Sequence, residues 1–265
     1  MVQVATLTGM GSARARVTAF WDEYVDAWLA GADPMPDPSP RWFASYAGTG
    51  LGQVTRDGFP EAYIGDLLGK ETTPRLVILG LNPGQFFPHL QARDGLFADE
   101  IRRRGAYSAW ARTGPYLRRP WTDVGPNVYF RSRVAFTRRW LEDPAATFED
   151  MLIFEAYPWH SSRVTATIRP PADIVDQFVW QPIAELPTRD VFAFGRPWDH
   201  VIRSLGRPLV DALGAGGRDY GSHVASRAVR VYGLPSGQQL IVEWHAGSAG
   251  PPSEQEAVIL KRALS

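Results

Sequence analysis

The chain contains no cysteine among its 265 residues. That excludes disulfides, thiolate zinc sites, iron–sulfur clusters and the zinc deaminases that hold their metal through cysteine. Histidine is scarce. Its residues at positions 89, 160, 200, 223 and 245 show no H-E-x-x-H or similar spacing, so no metal and no other cofactor is expected. Lysine occurs only at positions 70 and 261, which leaves arginine as the working cation. There is no run of about 18 apolar residues, so no membrane-spanning helix and no membrane partner are expected. The first residues lack the charged-then-apolar order of a signal peptide, and a cytoplasmic protein is the expectation. Neither G-x-x-x-x-G-K-[ST] nor G-x-G-x-x-G occurs, so no motif supports a phosphate-loop or dinucleotide site.

The length suits one domain with a real core, and neither an internal repeat nor a domain linker interrupts it. The expectation is a single domain over 1–265, with an N-terminal helical extension over about 1–70, acting as a monomer. Formal net charge is zero, so the total predicts no polyanionic partner; its distribution does. Between Ile101 and Trp140 stand ten arginines and a single acid, Asp123, interleaved with Tyr107, Trp110, Tyr116, Trp121, Tyr129 and Phe130. Cations beside aromatics suit phosphates and unstacked bases, with Arg118 and Arg119 as candidate DNA contacts. The alternative is a solvated face in a protein whose default cation is arginine.

Arg75 to Gly84 is the pivot of the chain. Leu76 to Leu79 is a short apolar run, rich in β-branching, that reads as a strand buried on both faces. Gly80 permits close backbone approach, Pro83 stops the ladder and Gly84 permits a turn, which leaves Asn82 at the carboxyl end of a central strand. In open α/β sheets ligands bind there. Before it, Val17, Phe20, Trp21, Tyr24, Val25, Trp28 and Leu29 recur at helical spacing, and Gly31 and Pro34 end that helix. A second, shorter helix is predicted near Pro60–Leu68. After the pivot, Asp94–Arg104 reads as helix, the rest of 85–127 as loop, and Val134–Leu141 as helix.

Further strands are predicted at Met151–Tyr157, Arg189–Gly195 and Gln238–Trp244, with helices over Ala172–Leu186 and Trp198–Leu213 between them. This alternation predicts an α/β fold with a parallel sheet covered on both faces. Ala228–Tyr232 and Gln238–Trp244 read as a hairpin, and Ser253-Glu-Gln-Glu256 as a capping box opening the last helix. Polar residues then gather at the carboxyl edge of the sheet: Asn82, Glu155 with His160 and Ser161, and His245 ahead of a Gly/Pro-rich loop. An amide, a carboxylate and an imidazole in one crevice suit polar chemistry without a metal.

Gly80-Leu-Asn-Pro-Gly84 on a buried strand resembles the first motif of the uracil-DNA glycosylase superfamily, in its single-strand-selective and mismatch-specific branches. The histidine loop before the C-terminal helix is similar to the second motif, although Ala-Gly follows His245 where the family usually carries Pro-Ser. The resemblance covers about Leu76 to Leu264. It implies a three-layer α/β/α sandwich around a four-stranded parallel sheet, and a monofunctional DNA glycosylase. Asn82 would hold the attacking water. His245 would donate to the base O2 as the N-glycosidic bond breaks and the sugar takes on oxocarbenium character. The 247–252 loop would enter the base stack, with Gly247, Ser248, His160 and Ser161 touching DNA. Phe97 matches the family's base-stacking phenylalanine, with Phe86 and Phe87 as competitors.

Gly84 and Glu155 speak to the substrate. In uracil-strict relatives a tyrosine stands at the position of Gly84 and blocks groups on pyrimidine C5; glycine leaves that side open. Glu155 falls where the family's asparagine reads uracil. A carboxylate only accepts, so it suits the N4 amino group of cytosine and repels uracil O4. The expectation is a C5-modified cytosine, such as glucosylated hydroxymethylcytosine of phage DNA, removed by base flipping in antiviral defence. The alternative is uracil or 5-hydroxymethyluracil excision in DNA repair. Two further readings stand beside these. One is a glycosylase-like domain that binds DNA without cutting it. The other is a serine hydrolase using Ser248 in Ala246-Gly-Ser-Ala-Gly250, although no Asp or His follows that serine as the usual triad order requires.

Overall fold

The chain is described by a computed structural model over residues 11–46, 50–164, 168–245 and 250–265. Its strands are β1 (Tyr63–Ile64), β2 (Leu76–Gly80), β3 (Met151–Glu155), β4 (Asp190–Phe194), β5 (Leu209–Gly214), β6 (Ala228–Gly233) and β7 (Gln239–Trp244). They form one seven-stranded mixed sheet in the order β1-β3-β2-β4-β7-β6-β5. Every residue of β2 and of β3 is buried, as expected for strands without a wet face. β3, β2, β4 and β7 pair in parallel, while β1 on one side and β6 and β5 on the other are antiparallel. The sheet is therefore mixed and wider than the four-stranded parallel sheet implied by the resemblance.

The helices are α1 (Ala13–Leu29), α2 (Ser39–Ala44), α3 (Pro88–Gln91), α4 (Leu96–Arg104), α5 (Tyr107–Ala111) and α6 (Trp121–Val124), followed by α7 (Val128–Leu141), α8 (Ala172–Val175), α9 (Gln181–Ala184), α10 (Pro197–Ser204) and α11 (Glu254–Leu264). α1 buries the apolar stripe read from its sequence and packs on α4, α5 and α9. Trp21, Trp42 and Phe178 meet edge-on or tilted at its base. No described helix is long and apolar enough to cross a membrane.

Four local expectations are corrected. Pro60–Leu68 is not helical: Tyr63 and Ile64 pair with Phe154 and Ile153, because two buried residues beside a sheet edge gain a ladder that an isolated helical turn lacks. The stretch after α4 is not all loop, since α5 and α6 form there on the aromatic residues Tyr107, Trp110 and Trp121. α7 begins six residues earlier than its apolar pattern suggests, because the Asn127 side chain caps it by accepting from the Phe130 N–H at 3.1 Å. α10 stops at Ser204, where Gly206 adopts a left-handed φ of 66°, and the chain beyond enters β5.

α11 is fixed to the sheet by buried charge. Arg227 lies between Glu243 of β7 and Glu256 of α11, pairing with the first and donating to the second at 2.8 and 3.0 Å. Ser253 caps the helix, accepting from the Glu256 N–H at 3.4 Å. The Glu256 carboxylate thus serves the arginine rather than only the reciprocal half of a capping box.

Candidate functional site

Because β3, β2, β4 and β7 run in parallel, their carboxyl ends share one edge. Asn82 leaves β2 there, Glu155 ends β3 and His245 follows β7. Only β4 separates β2 from β7, so the two strand axes lie about 10 Å apart.

The Asn82 side chain is buried and oriented. Its Nδ2 donates to the Ser161 carbonyl at 3.2 Å and to Ser161 Oγ at 2.9 Å. Ser161 Oγ in turn donates to the Arg163 carbonyl at 3.2 Å, so its lone pairs face Asn82. Both Nδ2 hydrogens are therefore committed, and Oδ1 is left as an acceptor. Ser161 is itself buried, which replaces its expected role as a DNA contact with that of anchor for Asn82.

Glu155 pairs across the ladder with Gly80, and its carboxyl group lies against that glycine. A methyl group at position 80 would overlap both Glu155 oxygens and the Tyr129 hydroxyl, which is the physical reason for glycine there. Oε1 accepts from the Tyr129 hydroxyl at 3.2 Å, and Oε2 has no hydrogen-bond partner among the described residues. Burial pushes this carboxyl group up to about 8, against the opposing pull of Arg133 and Tyr129; the nearby Glu61 adds to the rise. At neutral pH it is thus mostly a neutral acid. Arg133 lies over the Tyr129 ring, 3.5 Å from its centroid, and donates to the Tyr129 carbonyl at 3.3 Å. Burial raises the Tyr129 hydroxyl well above its ordinary value, so it stays a donor.

A second buried acid lies behind the first. Glu61 accepts from the Tyr116 hydroxyl at 2.5 Å and from Gln91 Nε2 at 2.9 Å, and His160 Nε2 is 3.3 Å away. His160 has no exposed surface, and its carbonyl accepts from the Thr55 N–H at 3.0 Å. It belongs to this interior network and not to a DNA-facing surface. Glu61 and Gln91 carry no signal in the sequence, and Tyr116, Tyr129 and Arg133 stand out there only as members of the basic, aromatic stretch and not as partners of a buried acid. Arg133 left a readable trace: it falls in the apolar stripe of α7 with Phe136 and Trp140, where a charge needs a partner.

Phe97 is fully buried, with its ring against Trp110, Tyr116 and Trp121, so it presents no face to an incoming base. Phe86 is partly exposed, with its ring 6.1 Å from that of His160 and tight against Gly58. Of the phenylalanines considered for stacking, Phe86 stands next to the anchored Asn82 loop. Gly84 has φ +85° and open space where a side chain would begin. Five of the ten arginines in the basic cluster, Arg102, Arg103, Arg112, Arg118 and Arg119, pair with a carboxylate. Arg118 makes a two-pronged pair with Glu100 at 2.7 and 3.0 Å, and Arg119 pairs with Asp123 at 3.0 Å. Arg118 is thereby a structural ion pair and not a free phosphate contact, whereas the Arg119 side chain is 85% exposed and still reaches solvent. Gly247 and Ser248 lie outside the described residues. Neither a scan against models of known protein families nor a search of curated proteins returns a match for this chain.

Proposed function

We propose that the protein is a monofunctional DNA glycosylase of the uracil-DNA glycosylase type, which extrudes a modified pyrimidine from DNA and hydrolyses its N-glycosidic bond. The observation that carries this reading is the fixed orientation of Asn82: both amide hydrogens are held by Ser161, so the leftover oxygen is an acceptor for a water proton. That water would attack the anomeric carbon as the sugar becomes cationic. His245, on the same sheet edge, would stabilise the departing base anion at O2. Loss of one such preorganised donor costs about 100- to 1,000-fold in rate. Phe86 would stack on the base, and Glu155 would read its edge.

The favoured substrate remains a C5-modified cytosine, of which glucosylated hydroxymethylcytosine is one example. Gly84 leaves room beside C5, and Glu155 offers an acceptor to the N4 amino group. A second reading is supported by the neutral state of Glu155. A carboxylic acid both donates and accepts, so it also matches the O4/N3–H edge of uracil or 5-hydroxymethyluracil. The experiment is a set of duplexes carrying uracil, 5-hydroxymethyluracil, 5-hydroxymethylcytosine and its glucosylated form, assayed for abasic sites. Release of a cytosine derivative supports the favoured reading, release of uracil alone the second. No abasic site on any of them rejects the glycosylase itself.

A further inference from the structure

We infer that an open pocket beside the Asn82 anchor is a subsite for a neutral, hydroxyl-bearing substituent on C5 of the extruded base, about the size of a hexose. The inference rests on the glycosylase reading above and adds where the substituent goes and what holds it. The pocket has a volume of about 390 Å³ and is lined by Gln53, Thr55, Asp57, Gln85, Ser162 and Phe86. Ser161, which holds Asn82, also lies in its wall, so the pocket stands directly beside the Asn82 anchor.

Its chemistry selects a class of ligand. Two amides, three hydroxyls and one carboxylate supply both donors and acceptors, as a group bearing several hydroxyls needs. No lysine or arginine lines it among the described residues, while Asp57 does, so a phosphate would be repelled and the DNA backbone does not run here. The Asp57 side chain is held by the Thr55 hydroxyl at 2.8 Å, which presets one polar wall. Phe86 offers a ring face to the C–H side of a cyclic substituent. The volume has room for on the order of ten water-sized groups, many more than a methyl or hydroxymethyl group fills. Gly84, next to Gln85 and Phe86 in the chain, has open space where a side chain would begin.

The test compares release of 5-hydroxymethylcytosine and of its glucosylated form from otherwise identical duplexes. The full-length protein is used, with Asp57→Ala and Gln53→Trp as variants. Both positions are exposed, so the fold is retained. The expected result is a loss of about tenfold or more on the glucosylated base in each variant, with release of the unglucosylated base unchanged. Equal losses on both bases, or no loss on either, overturn the subsite. Wild-type protein that releases hydroxymethylcytosine but not its glucosylated form overturns the subsite and leaves the glycosylase reading standing. Release of neither base by the wild type removes the cytosine reading and the subsite with it.

Discussion

Under the proposed function, the protonation state of Glu155 makes base choice depend on pH. Its carboxyl group sits at about 8, raised first by burial. Protonated acid outnumbers carboxylate by about ten to one at pH 7, and the ratio inverts by pH 9. The neutral acid can donate to a base carbonyl, and the carboxylate cannot. Facing uracil O4, the carboxylate leaves two acceptors opposed in a buried site, at a cost of about 1–3 kcal/mol, or about 5- to 150-fold. Facing cytosine N4 it still accepts. Because the protonated fraction falls about tenfold over that range and still serves a carbonyl, selectivity for amino-bearing over carbonyl-bearing bases should rise by about three- to tenfold between pH 7 and pH 9. The assay is single-turnover base release from matched duplexes across that range, with Glu155→Gln as the control. The amide does not titrate, so its selectivity should stay flat. A flat profile in the wild type, or the same inflection in Glu155→Gln, refutes the reasoning.

The same group predicts a stability trend of definite sign. The folded state holds a proton that the unfolded chain releases near 4.5, so stability falls as pH rises from there to about 8 and then levels off. At pH 9 Glu155→Gln should melt above the wild type, whereas at pH 4 the gap should close. Asn82→Ala should abolish base release while leaving DNA affinity within about twofold, measured by anisotropy; equal loss of both would point to misfolding. Ser161→Ala should lower kcat about five- to tenfold at constant KM by removing one of the two hydrogen bonds that hold the Asn82 amide, and Ser161→Thr should restore most of it. Gly80→Ala should cost about 1–3 kcal/mol by overpacking the Glu155–Tyr129 contact, read by chemical denaturation. Arg227→Ala leaves two buried carboxylates unpaired, and a loss below about 1 kcal/mol would contradict the expected 3–5 kcal/mol.

The parallel strands were legible in the sequence because each is an uninterrupted apolar run, and a doubly buried strand has no other way to look. Asn82, Glu155 and His245 were legible because each follows such a run. The second acid was not. Glu61 stands between Pro60 and Ala-Tyr-Ile with no periodic neighbour, and its partners arrive from positions 91, 116 and 160. Phe97 enters as a stacking residue only through the resemblance, which says nothing about which way α4 turns its apolar face; the ring is buried. The arginines of 102–139 read as a basic surface because several of their acidic partners fall outside that stretch: Asp99 and Glu100, just before it, meet Arg102 and Arg118, and Glu71 meets Arg112 at 3.1 Å. β5 was missed because an edge strand with exposed Leu209 and Val210 lacks the buried pattern on which strand recognition depends.

The first turns of α7 serve both buried acids. Tyr129 reaches Glu155, while the adjacent Phe130 stacks at 4.6 Å on Tyr116, whose hydroxyl holds Glu61. A small slide of this helix along its axis would loosen or tighten both grips together. Position 155 is therefore not an independent dial. An amide introduced there would inherit a phenol placed for an acid and a glycine placed for its oxygens. Under the proposed function, any change in what position 155 recognises would have to begin in the helix, one layer behind it.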